Sequence, residues 1–292
     1  MEEQIKRLRD SLNNNSNLSE EFKWNIATLT DLLVTTLPKY DYSYFEELLS
    51  SIKISKSDRI VGYATYNKQN NELFIDPRKA FDDRIDVQHL FMKELLSIGT
   101  HKKDKPESLR GFYDGMSESM ALLVLGDTGV KKQNVLEYHS ISLLSKIVDP
   151  EVLIDAYMTD NISLILENLS SYGIADDEFR MLLQDINNIS DDMVEENQNF
   201  ATAQKRMMYM YATKLGTQIK DGTKKEDEID ESFDDLNNSI IHSREELLSV
   251  YSGYTFRGVE GLKFNHTHMK NVKDRVKEGI KTEITPDLEK VM

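Results

Sequence analysis

One stretch constrains this chain more than any other. Residues 86–126 read DVQHLFMKELLSIGTHKKDKPESLRGFYDGMSESMALLVLG. Two helix-length patterns flank a solvated loop, KKDKPE, at 102–107. In the first, Val87, Phe91, Leu95 and Ile98 share one arc at the helical period. Asp86, His89, Lys93, Ser97 and Thr100 share the opposite arc, with Glu94 at the border beside His101. The second helix begins at Gly111 or just after it and runs to about Leu125. Gly126-Asp127-Thr128-Gly129 then reads as a turn.

The segment before this stretch has a different character. Arg59–Tyr66 is rich in β-branched and aromatic residues, Asn67–Asn71 has turn chemistry, and Glu72–Ile75 reads as a second strand. Asp76-Pro77 closes the hairpin. No other segment alternates convincingly. The expected fold is therefore mainly α with a small β-hairpin or sheet, an α+β chain.

The remaining segments carry helical periodicity. Residues 1–13 form a short polar helix, and the NNNSN run at 13–17 breaks it, because Asn and Ser side chains compete for the local backbone. Ser19 caps a helix that reaches Leu37 and stops at Pro38. A short helix follows from Tyr42 to Ile52. Beyond Lys131, helices are expected up to Val148 and over Glu151–Met158, Ile162–Leu169, Asp176–Ile186, Phe200–Ile219 and Phe233–Val250. Met207, Met208 and Met210 read as adaptable core. Gly253, Gly258 and Gly261 mark an irregular segment, a last polar helix starts near Asn265, and the tail from Thr282 reads as disordered. Four regions result: an N-terminal helical region (1–58), a hairpin and two-helix core (59–130), a C-terminal helical region (131–252), and an irregular segment with a polar tail helix (253–292).

Composition removes several classes of function. With 292 residues the chain is long enough for one large or two modest domains. It has no cysteine, so disulfides, thiolate metal sites and a cysteine nucleophile are excluded. The net charge of −15 opposes direct nucleic-acid binding through a basic surface. No apolar run is long enough to span a bilayer, so no membrane association is expected. The start, MEEQIKRLRD, lacks the apolar region of a secretory signal, which points to a cytoplasmic location.

The order hairpin, helix, charged loop, helix resembles the core of the zincin metallopeptidases, especially the glutamate-zincin branch. In that family an edge strand flanks the active site. One helix carries HExxH, whose histidines bind zinc while the glutamate activates water. A following helix, often NEGLxE, supplies a carboxylate ligand. In this chain the matching strand is Glu72–Ile75, and the HExxH position reads Lys93-Glu94-Leu95-Leu96-Ser97. The second helix reads Tyr113-Asp114-Gly115-Met116-Ser117-Glu118. The resemblance implies that Glu94 matches the catalytic glutamate and Asp114 the third ligand, with Gly115 and Glu118 matching the glycine and the later acid. Lys93 and Ser97 stand in the two histidine positions, and neither suits zinc.

The resemblance therefore implies a vacated or remodelled metal site at Lys93, Ser97, Asp114 and Glu118, with no metal or other cofactor. The Lys93 ammonium would take the metal's electrostatic role and pair with Asp114; alternatively Lys93 lies on a solvated helix face. No other set of residues rescues the site. His89 is one turn from Lys93, but only one of them is a ligand. Glu94 and His101 are two turns apart, about 10 Å along the axis. His266 and His268 form a local pair, and His139 and His242 lack matching spacing.

Three functions follow as expectations. The first is a catalytically inactive, zincin-like protein with a protein or peptide partner, taken up by strand pairing beside Glu72–Ile75. The second is a divergent metal-dependent peptidase using Glu94 and Asp114. The third is an acidic inhibitor or nucleic-acid mimic that binds a basic protein through aligned carboxylates of 176–196 and 221–235.

Overall fold

The computed structural model describes residues 1–60, 62–82, 85–100, 106–126, 132–191, 196–251 and 266–278. His101, the Asp127-Thr128-Gly129 turn, the irregular segment and the tail lie outside them, as do the side chains of His266 and His268. The described residues are mainly helical with one three-stranded sheet. They divide into two compact units. The first holds Met1–Asp104, Ser117–Gln133 and Met158–Asp160, and the second holds Lys105–Met116, Asn134–Tyr157 and Asn161–Met292.

In the first unit, α1 (Glu2–Asn14) ends inside the asparagine run. Asn15 is buried, and its side-chain amide donates to the carbonyls of Leu49 and Ile52 at 2.8 and 2.9 Å. The run that breaks the first helix thereby ties it to the end of α3 (Ser43–Ser51). Helix α2 (Glu20–Thr36) starts as expected, with the Ser19 hydroxyl accepting from the Phe22 N–H. Ile26, Leu29, Leu33 and Val34 supply its buried face.

The sheet has the order β1-β3-β2. Strands β2 (Ala64–Asn67) and β3 (Glu72–Ile75) form the expected antiparallel hairpin, although β2 starts later than the composition suggests. Strand β1 (Lys53–Lys56) was not expected. It pairs parallel to β3, with Lys53 opposite Glu72 and Lys56 opposite Ile75. Its sequence, KISK, has no long alternation; the strand exists because β3 offers it a partner. The Ser55 hydroxyl also meets the Glu72 carboxylate. One expectation is corrected here: Glu72–Ile75 is the central strand, not an edge, so both of its hydrogen-bonding sides are occupied. A short α4 (Pro77–Asp82) follows, its first amides held by the Asp76 carboxylate. Helix α5 (Val87–Gly99) completes the main elements of this unit.

Helix α6 (Arg110–Leu125) contributes residues to both units. The second unit continues with α7 (Val135–Leu144), α8 (Pro150–Thr159), α9 (Ser163–Ser171), α10 (Asp176–Asp191), α11 (Glu196–Lys220), α12 (Ile229–Tyr251) and α13 (His266–Lys277). Pro150 stands first in α8, where its missing N–H is not needed. Val135, Leu136, Ile189 and Phe200 form one buried cluster. Met207, Met208 and Met210 are buried, in keeping with a core role.

Candidate functional site

Helix α5 carries most of the candidate site. Its N-terminus is fixed by Asp86, whose carboxylate accepts from the His89 N–H at 2.9 Å. Phe91, Leu95 and Ile98 are buried, as the apolar arc requires, and the Phe91 ring lies 6.0 Å from that of Phe22. The opposite arc departs from expectation. His89, Lys93 and Thr100 are buried too, with Lys93 only 7% exposed, whereas Val87 is exposed. The solvated-face reading of Lys93 is therefore corrected. The physical reason is that α5 has neighbours beyond its apolar arc: it packs against α2, α3 and β2, and His89 and Lys93 meet Glu118 and Gln133.

Buried polar groups need partners. His89 Nε2 lies 2.7 Å from Glu118 Oε1, and Glu118 is fully buried. The same oxygen accepts from the Gln133 backbone N–H at 3.3 Å. The Gln133 side-chain carbonyl accepts from Lys93 Nζ at 2.9 Å, and Nζ lies 3.1 Å from Glu94 Oε1. His89, Glu118, Gln133, Lys93 and Glu94 thus form one continuous polar cluster within the first unit. Three of its atoms, His89 Nδ1, Glu118 Oε2 and Gln133 Nε2, are buried with no hydrogen-bond partner among the described residues. Orphans of this kind are costly, so the cluster is a polar site inside a mostly apolar core.

The predicted site residues fall as follows. Lys93, Glu94 and Glu118 share the cluster. Ser97 is half-buried, one turn beyond Lys93 on α5. Asp114 belongs to the second unit, where Arg110 Nε approaches it at 3.9 Å, one turn earlier in α6. Gly115 is closely packed: a Cβ there would lie 2.5 Å from the carbonyl oxygen of Glu137. His89, considered in the sequence only as a failed ligand beside Lys93, is the partner of Glu118. Gln133 has no motif to mark it. No group of three or more His, Asp or Glu side chains placed to hold a metal occurs among the described residues.

Other candidates resolve into local pairs of the second unit. His139 is buried, with Nε2 3.4 Å from Glu246 Oε2. Asp185 pairs with the buried Arg206 at 2.7 Å, and burial raises its carboxyl above the usual range against the pull of that guanidinium. Asp230 meets Lys273 and Lys277, and Asp235 meets Lys146. Of the carboxylates in 176–196 and 221–235, Asp185, Asp230 and Asp235 meet the chain's own cations. Comparison with protein-family models, characterised proteins and solved structures finds no match to this chain.

Proposed function

We propose that this chain is a zincin-related protein that has given up metal-dependent hydrolysis and works by binding a protein or peptide. The observation that carries this reading is the Lys93–Glu94 contact. In the proposed alignment Lys93 replaces a zinc ligand, and its buried ammonium lies 3.1 Å from the carboxylate that would activate water. An ammonium offers no lone pair, and it repels a divalent cation placed beside it. The buried charge is met by Glu94 and by the Gln133 carbonyl.

Partner uptake by strand pairing cannot use β3, which has a neighbour on each side. The reading therefore assigns it to β2, an outer strand of the sheet that packs against α5.

Metal analysis and a reconstitution variant test the proposal. The native chain is expected to purify without stoichiometric zinc and to leave a peptide library uncut. The double variant Lys93→His with Ser97→His is expected to fold and take up zinc, because it would restore both imidazoles one turn apart on a helix that already holds Glu94. Stoichiometric zinc in the native chain, lost in Glu94→Gln or Asp114→Asn, would overturn the non-catalytic reading. A double variant with native circular dichroism and no zinc would overturn the zincin alignment. Selection of extended peptides on the native chain addresses the binding half: specific binders support it, and their absence from a diverse library counts against it.

A further inference from the structure

Lys214, well inside α11, has surroundings unlike those of the paired lysines of the second unit. Lys146 meets Asp235, and Lys273 and Lys277 meet Asp230. Although the chain carries 51 acidic residues, no carboxylate among the described residues comes within ion-pair distance of Lys214. Its side chain is half-buried. Nζ donates to the Lys146 backbone carbonyl at 3.0 Å, just beyond the end of α7. It also lies 5.0 Å from the centre of the Tyr172 ring, at the end of α9.

The fold holds these neighbours in place. The Tyr172 carbonyl accepts from the Thr217 hydroxyl at 2.7 Å, one turn along α11 from Lys214. The Lys146 N–H donates to the Leu143 carbonyl at 3.1 Å. Two charged residues act on the amine from further off. Asp149 favours the ammonium, and Lys224, whose own Nζ donates to the Ser232 hydroxyl at 2.8 Å, opposes it. Burial holds the Lys214 amine below the ordinary lysine value; Asp149 works against this and Lys224 adds to it. A larger share of this lysine than of an exposed one is therefore unprotonated, and the unprotonated amine is the nucleophile.

We propose that Lys214 is a site of Nε-acylation by an activated acyl group, an acyl phosphate or an acyl thioester. The unprotonated Nζ attacks the acyl carbon and forms the C–N bond. The C–O or C–S bond to the leaving group breaks, phosphate or thiolate departs with the electron pair, and the surplus proton on nitrogen goes to solvent. The product suits the site. An amide keeps one N–H to donate to the Lys146 carbonyl, and it removes the charge that burial and Lys224 disfavour. A small acyl group has the Tyr172 ring to pack on. The contact between ammonium and ring is lost, and such contacts are weak where water reaches them. The proposal is independent of the zincin reading.

Treatment of the folded full chain with acetyl phosphate at neutral pH, with acetylation at each lysine followed by mass spectrometry, tests it. Lys6 and Lys53, both exposed, serve as references. Lys214 is expected to acetylate faster than either by about threefold or more. A parallel arm uses the acetyl thioester of N-acetylcysteamine. Selectivity for Lys214 with either donor supports the assignment, and the donor giving the larger ratio identifies the acyl source. Asp149→Asn should raise the rate at Lys214 and Lys224→Met should lower it, with Lys6 and Lys53 unchanged. Asparagine can still accept from the Glu151 N–H, and Lys224 has only its hydroxyl contact to lose, so both variants should keep native circular dichroism. A rate at Lys214 no higher than at Lys6 and Lys53 with both donors, or one that neither folded variant alters, would overturn the assignment.

Discussion

His89 and Glu118, 29 positions apart in the chain, meet through a 2.7 Å contact, and both side chains are buried. The pair joins α5 to α6 where solvent does not reach. Removing one member leaves the other without its partner in a low-dielectric setting. Glu118→Ala is expected to cost about 3–5 kcal/mol. Glu118→Gln should cost less, because its carbonyl still accepts from His89 and from the Gln133 N–H. Urea denaturation checks the order. The double change His89→Leu with Glu118→Leu should recover much of the loss, since apolar replacement of a whole buried pair is often close to neutral. Failure of that recovery would mean that the pair does more than satisfy its own burial.

Lys93 makes a second, separable contribution. Its stem lies in the core, and its charge faces Glu94 and the Gln133 carbonyl. Lys93→Met keeps most of the stem and removes the ammonium. The expected loss is about 1–3 kcal/mol, from an ion pair and a carbonyl left short of a donor. Lys93→Ala should cost more, because it also opens a cavity. Equal stability of Lys93→Met and the native chain would place the ammonium in water, contrary to the burial described.

Two glycines separate a soft contact from a hard one. The nearest atoms to a Cβ at Gly99 all belong to the Phe45 ring, the first at 2.4 Å. Gly99→Ala should cost about 1–3 kcal/mol through overpacking, and Phe45→Leu in the same chain should relieve part of it. A Cβ at Gly115 meets the backbone carbonyl of Glu137 at 2.5 Å, and no side-chain change removes a carbonyl. Gly115→Ala should therefore be the more damaging substitution. Thermal melts of the three variants decide this.

Much of the helical pattern was legible in the sequence. Ser19 and Asp86 cap the helices they precede, and the apolar arc of Phe91, Leu95 and Ile98 is buried. These are local signals, set by helical period and cap chemistry. Features that depend on distant partners were not legible. KISK becomes β1 only because β3 lies beside it. His89 and Lys93 look solvent-facing on a helical wheel, and packing of α5 by several neighbours buries them. Gln133 belongs to no motif, yet it links Glu118 to Lys93. Glu94 and Glu118 stood out in the sequence for their place in a resemblance; the structure gives each a cationic or imidazole neighbour.

Asp230 provides the clearest pH dependence. Lys277 and Lys273 on α13 contact its carboxylate at 2.6 and 2.5 Å, and these hydrogen bonds hold its pKa down at about 2. A carboxyl whose folded value lies below its unfolded value stabilises the fold above the unfolded value. That contribution is lost as pH falls through the folded value. The window here runs from ordinary carboxylate titration, near 3.8, down to about 2. Docking of α13 should thus be independent of pH above that window and weaken within it. The site is solvent-facing, so added salt should also weaken the contact. NMR titration of the Asp230 carboxyl should return the depressed value, and Lys273→Ala with Lys277→Ala should restore ordinary titration. An unchanged carboxyl titration in that double variant would show that the two lysines are not what holds Asp230 ionised.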